Sequence, residues 1–333
     1  MRYRLIVKLC LFLSLIGCEE QETETIPEVE VMMMERSTGG KEDGEDTAKE
    51  LLPLDLNNDA DNLYAWRKTR ASLDPSEEVV FYWTGYVYHY QDKDPAFFPE
   101  GGYNVEFESP LFKFEGFNIA RFAEDGAGGY SMLSREVSVY QNPFTGEIID
   151  CWQNRLLPDQ PAVRVMHVAN DPVNFGVGAV SFNEIGDRVS FFSDILVSYR
   201  SPLAGDASLS SFSASDVYQS NELFNFYADK NDLADPTLRT VPVDISWTRV
   251  GQYLPWMQMG DRPGKLIYHV RGYKVMDGLD GLPESLMNWT IDVAGPKFLT
   301  APDRVPQGYQ PNATTWRVFK ESLSVGSYDP NCR

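Results

Sequence analysis

The sequence predicts a mainly β protein: an antiparallel sheet, barrel-like or folded as a sandwich, with a few peripheral helices. Three observations carry that expectation. Strict two-residue alternation recurs along the chain, as in EVVFYWTGYVYHY at residues 78–90. Aromatic and β-branched residues fill these runs, and such side chains suit a pleated, half-buried surface. Helical spacing is confined to three segments, and many strands with few helices fit a single curled or folded antiparallel sheet.

Taken in order, Asp59 is placed to cap a short helix running through Leu63 and Trp66. In 78–90, Val79, Phe81, Trp83, Val87 and His89 share one face, and Tyr82, Tyr86, Tyr88 and Tyr90 share the other. Arg121 follows Phe117 and Ile119 by twos, which reads as a further strand. DGAGGYS at 125–131 reads as a turn, because it lacks the third spaced glycine of a dinucleotide loop. REVSVYQNPFTGEIIDCW at 135–152 reads as a hairpin turning at 142–146. Residues 162–170, 179–199, 241–250 and 265–275 continue the series of strands. Residues 215–233 read as the longest helix, with Ser215 as N-cap and Val217, Leu223, Phe224 and Tyr227 near one face. Residues 283–293 begin with a proline, which suits a first helical turn.

This domain, residues 51–333, follows two segments of different character. Arg2, Arg4 and Lys8 precede an apolar stretch from Leu9 to Ile16, too short to cross a bilayer and the right length for a secretory leader. It ends in Leu15-Ile16-Gly17-Cys18, which resembles the lipobox of bacterial lipoproteins. The resemblance implies a signal peptide over 1–17 and a lipidated Cys18 at the mature N-terminus. It places the protein in the bacterial cell envelope, on the periplasmic side or the cell surface of the outer membrane, with the membrane as a partner through several acyl chains. Residues 18–50 form an acidic, self-repelling tether, with 12 Asp/Glu against 3 Lys/Arg over 19–50. The whole chain carries a formal charge of −20, which speaks against a nucleic-acid partner. Beyond the leader, Cys151 and Cys332 can pair in an oxidising compartment, or Cys151 can stay single and buried.

The chain contains no G-x-S-x-G, H-E-x-x-H, P-loop or G-x-G-x-x-G signature, and its residues name no cofactor. Its three histidines, His89, His167 and His269, each sit in a strand-like run and, by phase, on the more apolar side. Inside a barrel they would meet as metal ligands; otherwise each is a buried neutral imidazole bonded to the protein. Arg121, Arg135 and Arg249 are phased with apolar neighbours too, and a buried guanidinium needs an anionic partner, either a protein carboxylate or an acidic ligand. The connection 251–264, between two strands, is unusually long. Its Trp256, Met257 and Met259 offer adaptable apolar contact, and Asp261 and Arg262 can pair with each other or with a ligand. It is read either as a plug over one end of the sheet or as a lid on a pocket beside His269. Arg249, Trp256, Met257, Met259, Asp261, Arg262 and His269 are therefore the expected ligand residues.

SWTRV, LPWMQMGDRPGKLIYHVRGYKV and LPESL with GPKFLTAP resemble the signature of domain of unknown function 1838, and VSVYQNPFTGEIIDCWQN and VMHVANDPVNF resemble its central motifs. The likeness spans roughly 57–303. It implies a shared fold and an extracytoplasmic setting, and it carries over no activity, substrate or site residue. The favoured expectation is a lipid-anchored protein that binds a small molecule. The alternatives are an enzyme using histidines as metal ligands or acid–base groups, and an envelope protein whose tyrosines touch a glycan or a partner.

Overall fold

In a computed structural model, residues 50–90, 109–304 and 312–332 are described; Cys18 and the tether lie outside them. The strands are β1 (Val79–Tyr90), β2 (Phe112–Glu124), β3 (Tyr130–Gln141), β4 (Cys151–Trp152), β5 (Val163–Arg164), β6 (Val168–Asn170), β7 (Phe175–Val177), β8 (Phe182–Ile185), β9 (Arg188–Arg200), β10 (Val217–Asp229), β11 (Asp244–Gly251) and β12 (Lys265–Val275). The α-helices are α1 (Asp59–Arg70), α2 (Lys230–Ala234), α3 (Glu284–Trp289) and α4 (Thr315–Ser324). Ten strands form one antiparallel sheet in the order β6-β3-β2-β1-β12-β11-β10-β9-β8, with β7 also on β3; β4 and β5 pair separately. No pairing joins β6 or β7 to β8 among the described residues, so the sheet is an open, sandwich-like layer rather than a closed barrel.

The sheet nevertheless curls tightly. Phe81 on β1 meets Phe226 on β10 at 6.0 Å between ring centroids, and Phe114 on β2 meets Trp247 on β11 at 6.0 Å. Tyr140 on β3 and Tyr268 on β12 bring their hydroxyls within 3.0 Å. None of these strand pairs are sheet neighbours, so the contacts cross a concavity. Into it point Phe81 and Val87, Phe112, Phe114 and Phe122, and Leu266, Tyr268 and Val270, all buried in the main core. The opposite face of β1–β3 and β12 carries a second core: Val80, Phe117, Ile119, Val137, Val139 and Val275 pack under Leu282, Leu286, Phe298 and Ala301. The segment expected as a helix over 283–293 becomes α3 and a following turn of π-helix, and it covers this second face.

Two expectations are corrected. Residues 217–229 are strand β10, not helix, paired over their whole length with β9. Alternate residues of this strand, Tyr218, Ser220, Glu222, Phe224 and Phe226, line the concavity. The cap of α1 is Asn58 rather than Asp59: its Oδ1 accepts hydrogen bonds from the amides of Ala60 and Asp61 at 2.9 and 3.3 Å.

Two buried lysines anchor the helices at one end of the concavity. Lys68 donates to the carbonyls of Asp232, Leu233 and Asp235 at 2.7–2.8 Å, at the end of α2. Lys274 donates to the carbonyls of Lys68 and Ala71 at 2.7 and 3.2 Å and to the Thr240 hydroxyl at 2.8 Å, at the end of α1. Each ammonium satisfies carbonyls that a helix end leaves without partners. At the far end of the domain, Cys151 and Cys332 form a disulfide across 181 residues of sequence.

Candidate functional site

The concavity encloses about 620 Å³. Its wall is mostly apolar, and the aromatic residues Trp83, Phe122, Phe224, Trp247 and Trp316 face it from β1, β2, β10, β11 and α4. Trp83 and Trp247 meet edge to face at 5.9 Å, and Trp247 stacks on Phe224 at 5.4 Å with the planes 6° apart. A volume of that size with an apolar wall and few polar groups is the form small-molecule sites take.

A buried polar cluster stands around Arg249 at one pole. Arg249 on β11 is 8% exposed. Its Nε donates to Glu222 at 2.9 Å and its Nη2 to the Tyr218 hydroxyl at 2.7 Å, while its guanidinium lies 4.9 Å from the centre of the Tyr268 ring. Glu222 is fixed on its other oxygen by the Trp247 indole N–H at 3.0 Å. Burial opposes the charge on Arg249, but Tyr218 and Glu222 outweigh it and hold the guanidinium firmly protonated. Its Nη1 is buried and has no hydrogen-bond partner. An unsatisfied buried N–H on a cation costs more than the ordinary 1–3 kcal/mol or so of a lost neutral bond, so this cluster is held at a cost in stability.

Glu136 on β3 faces the same pole. Burial first, and then the nearby Glu222 carboxylate, push its carboxyl up to about 7, with Asn170 and Arg249 partly offsetting them. It therefore exchanges its proton in the neutral range, where an ordinary carboxyl is fully ionised. Burial also pushes up the Tyr268 hydroxyl, to about 12, so the Tyr140–Tyr268 pair keeps both protons.

Of the ligand residues expected from sequence, Arg249 lines this cavity. Trp256 and Met257 are fully buried, and Met259 nearly so. Trp256 packs against Phe112, Tyr140 and Trp152 at 5.4–6.0 Å, and the Asn154 side chain ties down the Met257 carbonyl at 2.9 Å. The long connection is thus a core plug. Asp261 and Arg262 are exposed and border, with Met257, a second recess of about 460 Å³.

The histidines do not converge. His269 is exposed, because β12 turns Leu266, Tyr268 and Val270 inward and its odd-numbered residues outward. His89 pairs with inward-facing Leu266, so it and His269 take opposite faces of the sheet. His167 lies between the Tyr140 ring at 6.1 Å and Trp289 at 4.9 Å. Its Nδ1 accepts from the Tyr140 amide at 3.0 Å, and burial lowers its pKa to about 4, so it is a neutral imidazole bonded to the protein. Among the described residues, no group of three or more His, Cys, Asp or Glu side chains is placed to hold a metal.

The arginines divide between the two faces. Arg121 and Arg135 lie with the second core and pair with Glu78 and Asp303, and with Asp171. Sequence reasoning passed over Arg70, Glu136, Glu222, Tyr218 and Tyr268. For Glu136, Tyr218 and Glu222, the signal that could have found them was the inward phase of polar residues within β3 and β10.

A comparison with curated proteins gives no match. The sequence model of the family described as "Protein of unknown function (DUF1838)" matches residues 76–323, which include every strand from β1 to β12, and the chain belongs to that family.

Proposed function

We propose that this chain is a lipid-anchored envelope protein that holds a small molecule in the concavity of its sheet. The observation that carries the reading is the cavity itself, about 620 Å³ with a mostly apolar wall and the charged side chains of Arg70, Glu136, Glu222 and Arg249 along it. The Cys151–Cys332 disulfide supports an oxidising compartment, as export past the inner membrane would provide. The leader and Cys18 support an anchor made of acyl chains.

One preparation tests both parts. Protein recovered from the membrane fraction of its own host is measured intact by native mass spectrometry, then again after denaturation. The expected result is a mass increment of acyl chains on a fragment beginning at Cys18, together with a small molecule released on denaturation. A Ser193→Trp variant, which fills the cavity from β9, is expected to come out without that molecule. A soluble chain with an unmodified Cys18 would end the anchor reading, and an occupant retained by Ser193→Trp would place it elsewhere.

A second reading is favoured by Glu136. A carboxyl that titrates near neutrality beside two tyrosine hydroxyls can give or take a proton from whatever lies in the cavity. In this reading the acid–base group of the enzyme alternative is Glu136 rather than a histidine.

A further inference from the structure

Resting on the reading of the concavity as a small-molecule site, we propose that its occupant is an elongated apolar carboxylate, its anionic group held by Arg70 and its apolar chain lying along Trp83, Phe224 and Trp247.

Arg70 is the last residue of α1 and lines the cavity. Its guanidinium stands 5.0 Å from the centre of the Phe81 ring and 4.8 Å from that of Phe226. Its Nη2 lies 3.1 Å from the Met132 sulfur, a weak acceptor. Among the described residues no carboxylate pairs with it and no oxygen accepts from it. The ring faces attract a cation by about 1–2 kcal/mol each, yet they leave most of its five N–H donors without an acceptor. Burial lowers its pKa to about 10, which still leaves it fully charged at neutral pH. Lys274 stands close enough for each charge to oppose the other, and its own ammonium is already saturated by oxygens. This pole therefore carries an uncompensated positive charge inside a chain of net charge −20.

The other pole is balanced. The charge of Arg249 is met by the Glu222 carboxylate at 2.9 Å, so this end requires no anion. The two poles are separated along β10 by the step from Glu222 to Phe226, about 13 Å at the rise of a strand. Between them the wall is Trp83, Phe224 and Trp247. A guanidinium fork takes two oxygens of one anion, and a carboxylate offers two coplanar oxygens with the single charge that offsets that of Arg70.

The test uses the full-length chain and an uncharged apolar reporter, N-phenyl-1-naphthylamine, whose fluorescence rises on entering a dry cavity. Laurate and 1-dodecanol, equal in length and different in charge, then compete for the site. Laurate is expected to displace the reporter at a concentration at least about tenfold lower, as a charge-assisted hydrogen bond allows. Arg70→Met is expected to abolish that difference, the two displacing concentrations being compared within each variant, and Arg70→Lys to restore part of it. If the Met variant fails to fold by circular dichroism, Arg70→Gln takes its place. Equal displacement by laurate and dodecanol in wild type, or a laurate preference that survives Arg70→Met, overturns the carboxylate assignment and leaves the small-molecule site standing. A folded wild-type chain that takes up no reporter overturns the site itself.

Discussion

Glu136 shows how far a single side chain departs from its ordinary chemistry here. Its folded-state pKa, about 7, lies above the 4.5 of an unperturbed carboxyl, so between those values the folded chain binds more protons than the unfolded one. Stability associated with this group is fully present below about 4.5 and is lost as pH rises through 7. Glu136→Gln mimics the protonated form and removes that dependence. Urea titrations across pH 4–8 are expected to show wild type and variant alike at the acid end. The variant should gain up to about 3 kcal/mol on wild type by pH 8. Parallel curves across the range would mean that Glu136 titrates normally. The sequence offered little to mark this residue. A glutamate beside Arg135 in a strand reads as a solvated pair, whereas the chain sends Arg135 to the second core and Glu136 to the cavity. Arg70 was hidden in the same way, as one of three cations in the last turn of a helix.

At the scale of elements, alternation in β1 was legible because Phe81, Trp83 and Val87 leave one apolar side against a tyrosine side. In β12 the rule misled. Leu266, Tyr268 and Val270 are apolar, but Ile267 breaks the contrast, and the wrong set was taken as inward. Strand β10 was mistaken for a helix for a reason tied to function: its inward residues include Ser220 and Glu222, polar groups that serve the cavity and erase the hydrophobic alternation. The residues that make a site are thus the ones that blur its strand. The joints between elements were equally silent, since lysines in a sequence read as surface. Lys274→Met tests one of these joints. It removes one of the donors at the end of α1, leaving the Thr240 hydroxyl on the Ala71 carbonyl, and it is expected to lower stability by about 1–3 kcal/mol in urea unfolding. A neutral or stabilising result would mean that removing a buried ammonium matters more than the carbonyls it serves.

For the whole molecule, the sheet was legible as a class and its second covered face was not. Arg121 and Arg135 were phased correctly with their apolar neighbours, but those neighbours belong to the core under α3, and one chain built two interiors where phase alone suggests one. The disulfide closes a loop of more than half the chain. In the chain-entropy account a closure this long contributes up to about 5 kcal/mol. Cys151→Ser with Cys332→Ser is expected to shift the urea midpoint down by an amount of that order, and wild type treated with a thiol reductant should match it. An unchanged midpoint would show that the C-terminal segment is held by packing alone.

The cavity wall runs from Arg70 on the first helix to Trp316 on the last, so no fragment of the chain owns a working share of it. Whatever fills the space thereby favours the complete fold over every partly open form, by RT ln(1 + [L]/Kd). An empty copy opens more often and meets proteases more often than a filled one. Under the proposed function, the lifetime of the protein then becomes a gauge of how much ligand is on offer.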